Sequence, residues 1–157
     1  MCNSLRTKNL MMTVQKIRTI NMAKMEDIQN QRKEISALLS YNEEETARLQ
    51  AEKVLIETNR ADASEILASQ CNELHARTDQ IALDNKCPDQ LKQAVCTLIW
   101  AATRLEFEEL GQVKSQLVKK YGSKFAGEAE RNDHSCVHPH VSKWLSKRPP
   151  TPLIVGA

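Results

Sequence analysis

Glycine, proline and aromatic side chains are scarce: 157 residues include 4 Gly, 5 Pro and two each of Trp, Tyr and Phe. So few turn formers and β-forming side chains argue against sandwiches and barrels. They also leave little for a glycine-rich phosphate loop or an aromatic-lined ligand pocket. No apolar run approaches the length of about 20 residues that a spanning helix requires. Leu10-Met11-Met12 is too short for the apolar stretch of a signal peptide. The cysteines (Cys2, Cys71, Cys87, Cys96, Cys136) form no CxxC pair, and their odd number fits reduced thiols in a cytoplasmic chain. No phosphate-binding loop, HExxH or EF-hand loop occurs. A soluble, non-enzymatic chain with no cofactor and no small-molecule substrate is expected.

What is abundant is Glu, Lys, Gln, Ala and Leu, the composition of an all-α protein. Leu10, Val14, Ile17, Met25, Ile28, Ile35 and Leu39 recur at three- and four-residue steps and predict an amphipathic helix over about 5–40. No proline or glycine precedes Pro88 to break it. Ser40-Tyr41-Asn42 reads as a reversal, with Asn42 capping a second helix over about 43–84 and Glu43, Glu44 and Glu45 favouring its N-terminus. Thr58-Asn59-Arg60 is its weak point. Two such helices joined by so short a turn must pack antiparallel as an αα-hairpin. Pro88 suits the first position of a third helix, and a fourth over about 105–121 stops at Gly122. Val141, Trp144 and Leu145 offer the apolar side of a short fifth. The expectation is an elongated helical bundle: a long hairpin with two or three shorter helices packed along it, over 5–147. A Pro-rich extended tail over 148–157 would follow.

Charge is dealt unevenly. Residues 1–25 carry Arg6, Lys8, Lys16, Arg18 and Lys24 and no acid, whereas residues 26–85 carry thirteen acids against six bases. Such a basic leading half-helix suits an acidic partner or anionic lipid, or is simply a solvated face. The bases lack interleaved aromatics, which argues against nucleic acid. His134-Ser135-Cys136-Val137-His138-Pro139-His140 is the most chemical-looking stretch. Its four potential ligands, His134, Cys136, His138 and His140, do not follow the two-cluster spacing of common zinc sites, so a polar loop is expected and no metal. Cys71 and His75, one helical turn apart, have the spacing of a nucleophile and base but no third group to orient them.

Several blocks resemble one family in order and spacing. They are Gln31-Arg32-Lys33-Glu34-Ile35-Ser36-Ala37-Leu38-Leu39, Glu45-Thr46-Ala47-Arg48-Leu49 and Ser64-Glu65-Ile66-Leu67, then Lys86-Cys87-Pro88-Asp89-Gln90-Leu91 running into Leu98-Ile99-Trp100-Ala101-Ala102-Thr103-Arg104. Lys120-Tyr121-Gly122-Ser123-Lys124-Phe125 follows. Together they resemble the increased-sodium-tolerance (Ist-one-like) proteins, with Thr103 where relatives usually have proline. The resemblance implies an ESCRT-III-like domain in endosomal multivesicular-body sorting and protein transport. Its partners would be other ESCRT-III subunits, with peripheral contact to anionic endosomal membrane. Relatives continue into a tail whose terminal motif docks on an AAA ATPase. This chain shows no such motif before Ala157, so direct ATPase binding is not expected of it. A soluble coiled-coil scaffold, dimerising through the hairpin seam, is the alternative.

Overall fold

A computed structural model describes residues 7–105 and 107–146. The expected bounds of the domain, Arg6 and the Pro-rich tail lie outside them. Helix α1 (Thr7–Ser40) and helix α2 (Glu44–Ala76) form the antiparallel hairpin. At 1.5 Å per residue α1 is about 51 Å long. Five shorter helices follow: α3 (Thr78–Leu83), α4 (Asp89–Ala102), α5 (Glu108–Tyr121), α6 (Ser123–Glu130) and α7 (Pro139–Leu145).

The hairpin seam is written in alternating steps of four and three. On α1 it runs through Leu10, Val14, Ile17, Asn21, Lys24, Ile28 and Gln31, and on α2 through Ala47, Gln50, Val54, Glu57, Ala61, Ser64, Ala68 and Cys71. That spacing keeps one stripe facing a partner helix along its length. Small residues on α2 let the two rods approach. Met25 and Leu55 each sit one position past a seam residue, and both, like Leu39 near the turn, are exposed rather than packed.

Towards the base of the hairpin α2 is also buried on a second side, through Ala63, Leu67, Gln70 and Leu74. Here α4 packs centrally, every residue from Ala94 to Ala101 buried, against α2, α5, α6 and α7. Leu10, Val14 and Ile17 join this core, whereas Ile28, Ala47 and Val54 lie in the two-helix seam beyond it. The apolar seam is therefore spent inside the chain, which removes the surface the scaffold alternative needs for dimerisation.

The turn works differently from the expectation. Asn42 is no cap for α2. It adopts a left-handed conformation (φ 63°), with its N–H donating to the Leu39 carbonyl and the next N–H, of Glu43, to Leu38. This double closure is a Schellman motif ending α1. Helix α2 runs unbroken through Thr58-Asn59-Arg60, where Thr58 and Asn59 side chains donate back to the Val54 and Leu55 carbonyls. It breaks instead at Arg77, and α3 turns Ile81 into the core. Pro88 precedes α4 as its N-cap. The expected fourth helix begins three residues late, which leaves Leu105 in the connection. Gly122, at φ 93°, separates α5 from α6. Helix α6 had too few large apolar residues to be foreseen, because it packs through Ala126 and Ala129.

Candidate partner-binding cleft

Two braces join the short helices to the hairpin. Lys16 on α1 pairs with Glu109 on α5 at 2.7 Å, and Arg60 on α2 donates to the Trp144 carbonyl on α7 at 2.8 Å. Between them opens a cleft of about 240 Å³. Its apolar wall comprises Ile17, Ile20, Ala61, Leu105, Phe107 and Leu145, and its polar rim Asn21, Lys24, Glu57, Arg60 and Ser64. A shallower groove continues past Ile20 and Phe107 to Met12. From Met12 to Lys24 the face extends about 18 Å along α1, enough for three turns of a docked helix.

The rim is built from a polar interruption of the seam. Asn21 Nδ2 donates to the Ala61 carbonyl at 3.1 Å and to Glu65 at 3.2 Å. The buried Glu57 carboxylate accepts from Gln31 Nε2 at 3.2 Å and lies 3.9 Å from Lys24 and 4.0 Å from Lys53. Surrounded by donors and cations, it places a fixed negative charge at the end of an otherwise apolar slot. Burial holds Arg60 below the usual arginine value.

The expected basic face divides. Lys16, Arg18, Lys24 and Lys8 are not one stripe: at roughly 100° per residue, Lys16 and Arg18 fall on opposite flanks of the buried stripe and Lys8 on the outer face. Lys16 and Lys24 are engaged by Glu109 and Glu57. The hydrogen bond from Lys16 holds the Glu109 carboxyl below its usual value. Lys8 and Arg18 are exposed and, among the described residues, form no ion pair. Ile20 and Phe107 escaped the sequence reading because neither belongs to an apolar helical stripe, whereas Leu105, expected on the fourth helix, lies in the connection before α5. The signal was that Ile20 is an aliphatic residue beside the seam with no place in it.

The His/Cys stretch disperses. His134 is exposed, Cys136 faces α4, His138 caps α7 by accepting the His140 N–H on Nδ1 at 3.2 Å, and the His140 ring packs against Trp144. No three His, Cys, Asp or Glu among the described residues are placed to hold a metal ion. Cys71 is fully buried in the core, and burial pushes its thiol up to about 12, so it is a protonated packing group rather than a nucleophile. No described helix is long and apolar enough to cross a membrane.

The chain is 28% identical over 146 residues to an IST1-like protein of Dictyostelium discoideum, a match covering 93% of this chain and 40% of that protein. It therefore spans about 40% of the length of that curated relative. Its fold matches the crystal structure of the S. cerevisiae Ist1 N-terminal domain in complex with Did2 MIM motif, at a TM-score of 0.80 and 23% identity over 92% of this chain and 81% of that one. The model of the Ist1 family, described as regulator of Vps4 activity in the MVB pathway, matches residues 7–157, and the chain belongs to that family.

Proposed function

We propose that this chain is a non-enzymatic ESCRT-III-like protein of multivesicular-body sorting and protein transport, which co-assembles with another ESCRT-III subunit at the endosomal membrane. Its cleft receives an apolar-faced helix of that subunit. The observation that carries this reading is the open slot of Ile17, Ile20, Leu105, Phe107 and Leu145 between the two braces, with Glu57, Lys24 and Arg60 at its rim. Apolar anchors at helical spacing would fill the slot, and the rim charges would fix their register. The solved yeast relative is itself in complex with a Did2 MIM motif, which supports a short motif of an ESCRT-III subunit as the occupant. Lys8 and Arg18, exposed on α1, supply the attraction to anionic lipid.

The test is fluorescence anisotropy of a labelled MIM-motif peptide from an ESCRT-III subunit. Ile20→Asp and Phe107→Asp should each weaken binding at least about tenfold, the cost of a buried charge in an apolar contact. Leu55→Asp, equally apolar and exposed but outside the cleft, should leave it unchanged. Equal binding by all three variants would remove the cleft from the function.

A further inference from the structure

The segment between α6 and α7 is held in an unusual shape. Asn132, His134 and Ser135 all take left-handed backbone angles (φ 55°, 57° and 55°). For His and Ser this conformation is costly and persists only where surrounding contacts impose it. Such contacts flank the segment: Asn132 Oδ1 accepts the Val137 N–H at 2.9 Å, and Thr97 Oγ1 on α4 accepts the His138 N–H at 2.9 Å. Arg131 pairs with Asp133 at 2.9 Å.

The shape delivers one side chain to one place. Cys136 and Cys96 of α4 line the same cavity, brought together beside the Thr97–His138 hydrogen bond. The Cys136 Sγ in turn donates to the Glu128 carbonyl at 3.9 Å. Both sulfurs line a surface cavity of about 300 Å³, with Lys92, His134, Asp89 and Phe125 around it. Cys96 is 2% exposed, whereas Cys136 is half-buried. One thiol thus meets solvent, and the other waits behind it.

We propose that Cys96 and Cys136 form a reversible disulfide when hydrogen peroxide enters this cavity, cross-linking α4 to the segment that leads into α7. The Cys136 thiolate attacks one peroxide oxygen, the O–O bond breaks, and hydroxide leaves. Cys136 is oxidised by two electrons to a sulfenic acid. Cys96, giving up its proton, attacks that sulfur; the S–O bond breaks, the S–S bond forms, and the oxygen departs as water. The balance is two thiols and one peroxide to one disulfide and two waters. Burial pushes the Cys96 thiol up to about 12, which protects it from direct oxidation and makes its attack on the sulfenic sulfur the slower step. The cross-link fixes the root of α7, the helix that brings Leu145 to the cleft.

The experiment treats the folded full chain with hydrogen peroxide, alkylates remaining thiols, and maps tryptic peptides by mass spectrometry. Peptides 93–104 and 132–143 should appear joined, titratable thiols should fall from five to three, and dithiothreitol should reverse both. The oxidised chain should melt a few degrees higher. Cys96→Ala should instead leave Cys136 as a sulfenic acid that dimedone traps. Retention of all five thiols, a Cys87 cross-link, or over-oxidised Cys136 beside a freely alkylated Cys96 would each overturn the proposal. The wild-type peptide map decides even where a variant fails to fold.

Discussion

Arg104 stacks over the indole of Trp100, its guanidinium carbon 4.0 Å from the ring centroid and one helical turn along the chain. The same guanidinium donates to the Trp100 carbonyl at 3.0 Å and to Thr103 Oγ1 at 2.9 Å, while the Thr103 hydroxyl donates to that carbonyl at 2.8 Å. Two side chains thus close the end of α4. Trp100 is 3% exposed at the centre of the core, so Trp100→Ala should cost about 3–5 kcal/mol. Arg104→Ala, which removes a surface stack and a carbonyl donor, should cost only about 0.5–1 kcal/mol. Urea denaturation of both variants checks the order, and equal losses would contradict it.

At the hairpin turn the left-handed angle of Asn42 decides which residues fit. Asn42→Gly should be neutral or slightly stabilising, because glycine adopts φ 63° without a Cβ penalty. Asn42→Val should cost about 1–2 kcal/mol. The ratio of unfolding midpoints in guanidinium reads the difference, and a tolerated valine would mean the turn had changed type.

The hairpin was legible because its determinants are local: a four-three repeat, no helix breaker before Pro88, and a turn with Asn at its tip. Asn42 was placed correctly and given the wrong task, since capping α2 and ending α1 require the same residue type. Met25 is expected in the stripe for a related reason. At 44% exposed it neighbours the seam residue Lys24, and hydrophobicity picks out the methionine where the four-three register picks out the lysine. The cleft was hardly legible. Ile20, Phe107 and Leu145 come together only after α5 and α7 brace the hairpin through Lys16–Glu109 and Arg60–Trp144, pairings between residues 93 and 84 positions apart. No periodicity within one helix encodes them. Helix α6 was invisible because alanines do its packing.

His138 makes stability depend on pH. Its Nδ1 accepts the His140 N–H, a contact that protonation abolishes. Burial lowers its pKa, and the neighbouring His140 lowers it further. The folded chain therefore binds this proton less readily than the unfolded chain, whose imidazole titrates at about 6.5. The contribution of neutral His138 is fully present above that value and is lost as pH falls through the lower folded value. The melting temperature should drop between about pH 7 and pH 5. It should drop less in His138→Asn, which caps without titrating. Parallel curves for the two proteins would assign the pH dependence elsewhere.

The four described bases among residues 7–25 of α1 should separate into two pairs by experiment. Lys16 and Lys24 face Glu109 and Glu57, so reversing both to Glu sets like charges together inside the brace and the seam. That variant should melt lower than the wild type. Its vesicle binding therefore reports on folding as well as on charge. Lys8 and Arg18 are exposed, and Lys8→Glu with Arg18→Glu should leave the melting temperature nearly unchanged. If these two meet anionic lipid at about 1 kcal/mol each, the double variant should bind phosphatidylserine vesicles at least about thirtyfold more weakly. It should regain nothing when salt is lowered, whereas the wild type should bind more tightly. Unaltered co-sedimentation of this stable double variant would show that α1 does not meet the membrane through these bases. The cleft would then be the surface on which assembly depends.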